Sequence, residues 1–114
     1  MRRNRHDSGI LILHPQGPSL DAASSTGLKD ALREQIAAGE HELCVDLDEV
    51  ESMDSTGLGV LIGAFRQLDG RGTIRLTGVR PMVRTLLDMT QMTRMFPILD
   101  TLGSDSGSDS GPSG

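Results

Sequence analysis

The residues best suited to chemistry lie close together in residues 53–61, which read MDSTGLGVL. Ser55 and Thr56 carry hydroxyl groups that can accept a phosphoryl group, and Asp54 places a carboxylate beside them. A helical apolar pattern starts at Leu58, so both hydroxyls precede a helix N-terminus, where unpaired N–H groups and the helix dipole favour an anion. The segment is therefore a candidate site for phosphate, and Ser55 is the candidate acceptor.

The same residues also allow a purely structural interpretation. An Asp-Ser-Thr sequence before an apolar helix is an ordinary capping sequence, because side-chain oxygens accept hydrogen bonds from the first helical N–H groups. The bare backbone at Gly57 and Gly59 permits close approach by a large partner. A phosphate on Ser55 would add a charge of about −1.5 to −2 beside Asp54, and water and salt would weaken the repulsion at exposed positions. Spacing alone does not decide between a helix cap and a phosphorylation site at Ser55.

Other chemistries lack the residues that they need. A serine hydrolase needs a base beside Ser55 and usually a Gly-x-Ser-x-Gly turn, which the sequence does not contain. The single cysteine, Cys44, excludes an internal disulfide and a cysteine-based zinc site, and its place in the apolar run 43–47 predicts a small buried thiol. The glycines of residues 57–63 miss the Gly-x-Gly-x-x-Gly spacing of a nucleotide-binding turn by one residue. No catalytic activity, metal or cofactor is predicted.

Composition narrows the partners of this chain of 114 residues. Its formal net charge is −5 with interspersed charges, which disfavours binding to a nucleic-acid backbone, and its two Phe, without Trp or Tyr, provide no stacking platform for bases. The apolar stretches fall short of the ~20 residues of a membrane span, and residues 9–13 are too short for an export signal. We expect a cytoplasmic protein with no direct nucleic-acid or membrane partner. Residues 103–114, GSDSGSDSGPSG, are predicted to be a disordered tail.

Apolar runs and helical periodicities place the candidate segment in an alternating order of strands and helices. Strands are predicted at residues 10–13, 43–47 and 73–77. Three helices follow them in turn, one capped by Asp21 or Ser19 and ending at Gly39, one from Leu58, and one from Pro81. Alternation of this kind predicts a sheet with parallel neighbours, right-handed crossovers and helices mainly on one face.

Helical spacing also predicts which side chains face the core. The first helix presents a stripe made of Leu28, Ala31, Leu32 and Ile36. The second helix presents a stripe made of Leu58, Leu61, Ile62, Phe65 and Leu68.

This arrangement resembles the STAS domain, and within it the bacterial anti-sigma factor antagonists. Matching stretches are residues 20–21, 45–47, 53–63, 76–79 and 92–96. The resemblance implies an α/β fold with a mixed sheet of four or five strands, and a domain over residues 9–102. The family usually begins with an extra strand, whereas residues 1–8, MRRNRHDS, have almost no strand character. We expect them to form either a flexible N-terminus or a short edge strand.

The resemblance also implies a function and a set of site residues. In this family the serine after the aspartate, here Ser55, is phosphorylated by an anti-sigma factor that is itself an ATP-dependent serine kinase. The unphosphorylated antagonist binds that anti-sigma factor and releases a sigma factor, and a serine phosphatase reverses the modification. The implied partner-binding residues are Asp21, Asp54, Ser55, Thr56, Gly57, Leu58 and Gly59. A STAS scaffold or ligand-sensing module without phosphorylation remains the alternative, because the six Met residues can form an adaptable surface.

Overall fold

Strands and helices alternate along the computed structural model, which describes residues 1–99. Within those residues the strands are β1 Arg2–Arg5, β2 Leu11–His14, β3 Ser19–Leu20, β4 Glu42–Asp46, β5 Ser52–Met53, β6 Thr73–Thr77 and β7 Ile98–Leu99. The helices are α1 Thr26–Ala37, α2 Ser55–Leu68 and α3 Pro81–Met89, with a 3₁₀ turn at Met92–Arg94. The tail predicted at residues 103–114 lies outside the described residues.

The main sheet has five strands in the order β1-β2-β4-β6-β7. β1 runs antiparallel to β2, and every other neighbour is parallel, which confirms the predicted mixed sheet. A separate parallel pair joins β3 to β5, neither of which is among the strands predicted from the sequence. These two short strands decide where α2 begins, because α2 follows β5 after a single residue.

The edge strand β1 forms from residues with little strand propensity. All four of its residues are exposed, so side-chain burial contributes little to its formation. Its register is fixed by the turn before β2, in which Gly9 has a φ of 96° and the N–H of His6 donates to the carbonyl of Ile10. At its end, Arg5 forms a salt bridge of 2.6 Å with Glu40. Backbone pairing and a turn hold this strand, and neither leaves a periodic pattern in the sequence.

The helices of the described chain share one face of the sheet, as predicted. Alternate residues of β2, β4 and β6 pack with the helices in one large core. That core includes Leu13, Val45, Leu76, Leu28, Leu61 and Val83. The opposite face has only a small buried pair, Ile12 and Cys44, with no helical residue among its neighbours. The layers are therefore a sheet and one layer of helices.

Two helix starts differ from the predictions. α1 begins at Thr26, after a turn, and its N-cap is Ser25, so the prediction of Asp21 or Ser19 as the cap was wrong. α2 begins at Ser55, three residues before the predicted apolar start at Leu58. Apolar periodicity marks where a helix becomes buried, whereas the first two residues of this helix, Ser55 and Thr56, are exposed. By contrast, Gly39 follows α1 with a φ of 103°, as expected for a left-handed helix end.

The prediction that Phe65 faces the core was also wrong. Phe65 is 36% exposed and lies at the margin, where its ring meets the buried ring of Phe96 edge to face at 5.9 Å. Ala64 takes the core position instead, at 3% exposure. Ala64 belongs to the large core between the helices and the sheet, whereas Phe65 does not.

The buried thiol leads to a first prediction. Burial, and then the nearby Asp46 carboxylate, raise the pKa of Cys44 to about 12. Because the thiolate is the reactive form, we expect Cys44 to resist thiol reagents at about pH 8 in the folded protein. Reaction should appear only when the protein is unfolded in urea. It is measured by the absorbance of the chromophore that the thiol reagent releases. Rapid labelling without denaturant would show that this face of the sheet opens readily.

Candidate functional site

The short ladder between β3 and β5 builds the site. Leu20 pairs with Met53, and the N–H of Asp54 donates to the carbonyl of Leu20 at 3.1 Å. Because the strands are parallel, the residues that follow them, Asp21 and Asp54, leave the ladder at the same edge. The structure therefore brings together the two acidic residues that the sequence had placed in one site.

Asp54 is the N-cap of α2. Its Oδ1 accepts hydrogen bonds from the N–H groups of Thr56 at 2.8 Å and Gly57 at 3.2 Å. Its carbonyl accepts from the N–H of Leu58 at 3.0 Å. The capping interpretation is thus confirmed. The expectation that these N–H groups await an external anion was wrong, because the chain's own carboxylate already occupies that position.

Ser55 is the first residue of α2 and is exposed. Within residues 1–99 its hydroxyl makes no hydrogen bond to a histidine, a carboxylate or any other group. Thr56 and Gly59 are exposed on the same part of the helix, whereas Gly57 and Leu58 are buried. A protein that reaches this surface meets Ser55, Thr56 and Gly59, while Gly57 and Leu58 support them from beneath.

Gly57 is required by packing. A Cβ atom there would lie 2.7 Å from the carbonyl oxygen of Leu20 and 2.9 Å from the Cγ of Met53. Gly59 and Gly63 differ, because a Cβ at either would meet nothing within 4 Å. One glycine of the motif thus lets α2 start against β3, and the other two leave the outer surface of the helix bare.

Asp21 organises a turn. Its Oδ1 accepts hydrogen bonds of 3.0 Å from the N–H groups of Ala23 and Ser24 and from the Ser24 hydroxyl. The bonds from Ser24, the backbone one first, hold the pKa of the Asp21 carboxyl below its ordinary value. The spacing Asp-x-x-Ser is a turn signal that could have been read in the sequence.

An open groove runs between α1 and α2 and reaches the site at Thr56. We call it the α1–α2 groove; its lining includes Ser25, Lys29, Arg33, Thr56, Gly59 and Gly63. The sequence did not indicate it, because its two walls come from distant parts of the chain. In the part of the chain that the structure describes, no helix is long and apolar enough to cross a bilayer. Within residues 1–99, no three His, Cys, Asp or Glu residues are grouped to hold a metal ion.

Comparison with known proteins identifies the family. A family model described as STAS domain matches residues 2–104. The chain belongs to the STAS domain family. This STAS domain is 32% identical over 97 residues to an anti-sigma F factor antagonist from Paenibacillus polymyxa, a match that covers 83% of this chain and 82% of that protein. It is therefore a member of the anti-sigma factor antagonists, a group of regulatory proteins.

Solved structures share this fold. The crystal structure of an anti-sigma factor antagonist from Mycobacterium paratuberculosis matches this STAS domain with a TM-score of 0.78 at 25% identity, over 89% of this chain and 85% of that one. SpoIIAA of Bacillus, solved in unphosphorylated and phosphorylated forms, matches at 16% identity with TM-scores of 0.69 and 0.68. Both forms match over 92% of this chain, and over 92% and 94% of their own. The resemblance and the fold predicted from the sequence are confirmed.

The three glycines of α2 give a prediction with opposite signs. Gly57→Ala should destabilise the fold by about 1–3 kcal/mol, because the methyl group collides with the β3 backbone. Gly59→Ala and Gly63→Ala should each stabilise it by about 0.5–1 kcal/mol, since alanine favours a helix and has room. Urea unfolding followed by circular dichroism measures all three. A Gly57→Ala variant as stable as the wild type would contradict the packing role.

The lowered pKa of Asp21 gives a prediction on pH. The folded state binds this proton less tightly than the unfolded chain, so the carboxylate favours folding above its ordinary pKa of 3.8, and this contribution is lost as pH falls through the lower folded pKa. Asp21→Asn should melt below the wild type at about pH 6, and the gap should close well below pH 3.8. Ser24→Ala, which removes one donor, should show part of the effect. A gap that stays constant with pH would show that the charge does not matter.

Proposed function

We propose that this STAS domain binds an anti-sigma factor with serine kinase activity and thereby releases a sigma factor. Phosphorylation of Ser55 by that kinase turns the binding off, and a serine phosphatase restores it. The observation that carries the proposal is the exposed Ser55 hydroxyl on the first turn of α2, beside the capping Asp54. The antagonist relatives, and the phosphorylated form of one structural relative, support it.

The cap explains how such a modification can act on binding and leave the fold unchanged. Asp54 already satisfies the N–H groups of Thr56 and Gly57, so the helix start does not depend on the state of Ser55. A phosphate adds a charge of about −1.5 to −2 and three acceptor oxygens at an exposed position. Its repulsion from Asp54 is weakened by water and salt. Phosphorylation of Ser55 therefore changes mainly the surface that the partner contacts.

The size of the switch follows from the same position. The partner's kinase site must reach the Ser55 oxygen, so the phosphate lies inside the contact that it regulates. If the added charge costs the complex about 3 kcal/mol, the affinity falls about a hundredfold. The chain itself supplies no catalytic group in this scheme: the kinase and the phosphatase perform the chemistry on Ser55.

Phosphoryl transfer is the direct test. Incubation with ATP and an anti-sigma factor of the serine kinase class should add about 80 Da, and Ser55→Ala should abolish the gain. Thr56→Ala is the matched control and should still gain mass. Ser55→Asp should bind the anti-sigma factor more weakly in calorimetry while melting near the wild-type temperature. A mass gain that maps to Thr56 or to residues 104–113 would refute the assignment of Ser55, and no gain with a kinase that binds would favour a scaffold module.

A further inference from the structure

The α1–α2 groove is a large concave surface that starts beside the proposed switch. Its volume is about 490 Å³, within the range of ligand sites in proteins. Thr56, the neighbour of Ser55, lines one end, and Gln67, whose Nε2 donates to the carbonyl of Arg33 at 3.2 Å, lines the other end. A chain segment that touches Ser55 and continues along α2 therefore enters this groove.

The α2 wall of the groove is bare because of Gly59 and Gly63. Nothing in the described chain comes near the position of a Cβ atom at either residue. Glycine inside a helix weakens it, so packing and helix propensity both favour alanine here. The two glycines thus leave space in the groove, although alanine would make the helix more stable. That space allows another backbone to approach α2 closely.

Ser25 gives an independent sign of a ligand. It lines the groove and is only 2% exposed. Although it is the N-cap residue of α1, its side chain makes no cap hydrogen bond, and its hydroxyl has no other partner within residues 1–99. A buried hydroxyl without a partner is unfavourable. A polar group bound in the groove would satisfy it.

The α1 wall is positively charged. Lys29 and Arg33 lie one turn apart on α1, both are exposed, and neither side chain has a partner within residues 1–99. Such a pair is notable in a chain whose formal net charge is −5. Residues four apart on a helix are about 5–6 Å apart at Cβ, which suits two carboxylates carried on one peptide segment. The charge of the wall therefore selects an acidic partner.

We propose that the α1–α2 groove receives an acidic segment of the anti-sigma factor, an inference that rests on the proposed function. The segment passes over Gly59 and Gly63, its carboxylates pair with Lys29 and Arg33, and one of its polar groups bonds to the Ser25 hydroxyl. This docking also links the groove to the switch. A phosphate on Ser55 adds negative charge at the end where the acidic segment enters, so it repels that segment directly.

Charge reversal is the first test. The double variant Lys29→Glu/Arg33→Glu should bind the anti-sigma factor about tenfold more weakly or worse in calorimetry, because two attractions become repulsions. Arg66→Glu/Arg94→Glu is the matched control: it changes the net charge equally, uses exposed arginines away from the groove, and should bind like the wild type. Rising salt should weaken the wild-type complex more than that of the groove variant.

Two further variants test shape and hydrogen bonding without a change of charge. Gly63→Leu should fill the groove and weaken binding at least tenfold, whereas Arg66→Leu, on the same helix outside the groove, should not. Ser25→Ala should weaken binding severalfold without lowering the melting temperature, since the hydroxyl has no internal partner to lose. A purely structural role of Ser25 would instead lower the melting temperature and leave the affinity unchanged.

The outcomes separate this inference from the proposed function. If Ser55→Asp weakens the complex but the groove variants bind like the wild type, the groove proposal is wrong and the switch stands. If the control arginine variants weaken binding as much as the groove variants, the effect is one of general charge and the groove proposal is again wrong. If no anti-sigma factor of the serine kinase class binds the wild type, both proposals fall.

Discussion

The contact between the start of α2 and the backbone of β3 is the constraint on which the site depends. The carbonyl of Leu20 accepts the N–H of Asp54 and leaves no space for a Cβ atom at Gly57. Together these contacts fix both the first turn of α2 and the direction in which Ser55 faces. A larger residue at position 57 would push the helix away from β3, and the capping carboxylate with it. A buried glycine thus determines what an exposed serine presents to solvent.

Such rigidity is what a charge switch needs. If the helix start were loosely held, a phosphate could be accommodated by local rearrangement, and the partner would meet a variable surface. Asp54 removes that freedom, because its carboxylate is bonded to two N–H groups of the first turn. Asp21 does the same for the neighbouring turn through Ser24 and Ala23. Local hydrogen bonds hold both carboxylates in place. The charge of a phosphate on Ser55 would therefore act on a bound partner and would not rearrange this surface.

The sequence predicts the parts of this fold that rest on local chemistry. The strand Thr73–Thr77 and the helix that starts at Pro81 lie where the patterns place them, because alternation and proline geometry are local. Features that depend on distant neighbours were missed. Phe65 fits the helical stripe of α2, yet it lies at the margin of the fold, and Ala64 is the residue that joins the core. The edge strand β1 and the α1–α2 groove likewise arise from pairing and packing between segments far apart in the chain.

The glycines of α2 show how stability and function separate in one short motif. Gly57 serves both, since the fold and the position of Ser55 need the same close contact. Gly59 and Gly63 serve neither packing nor helix propensity, for a methyl group would fit at each and favour the helix. The isolated chain gains nothing from the bare surface at Gly59 and Gly63. Within residues 1–99, the buried Ser25 hydroxyl beside it lacks a partner, and two cations of the groove are unpaired. Each of these features becomes favourable once an acidic segment covers it, so the groove is best understood as half of an interface.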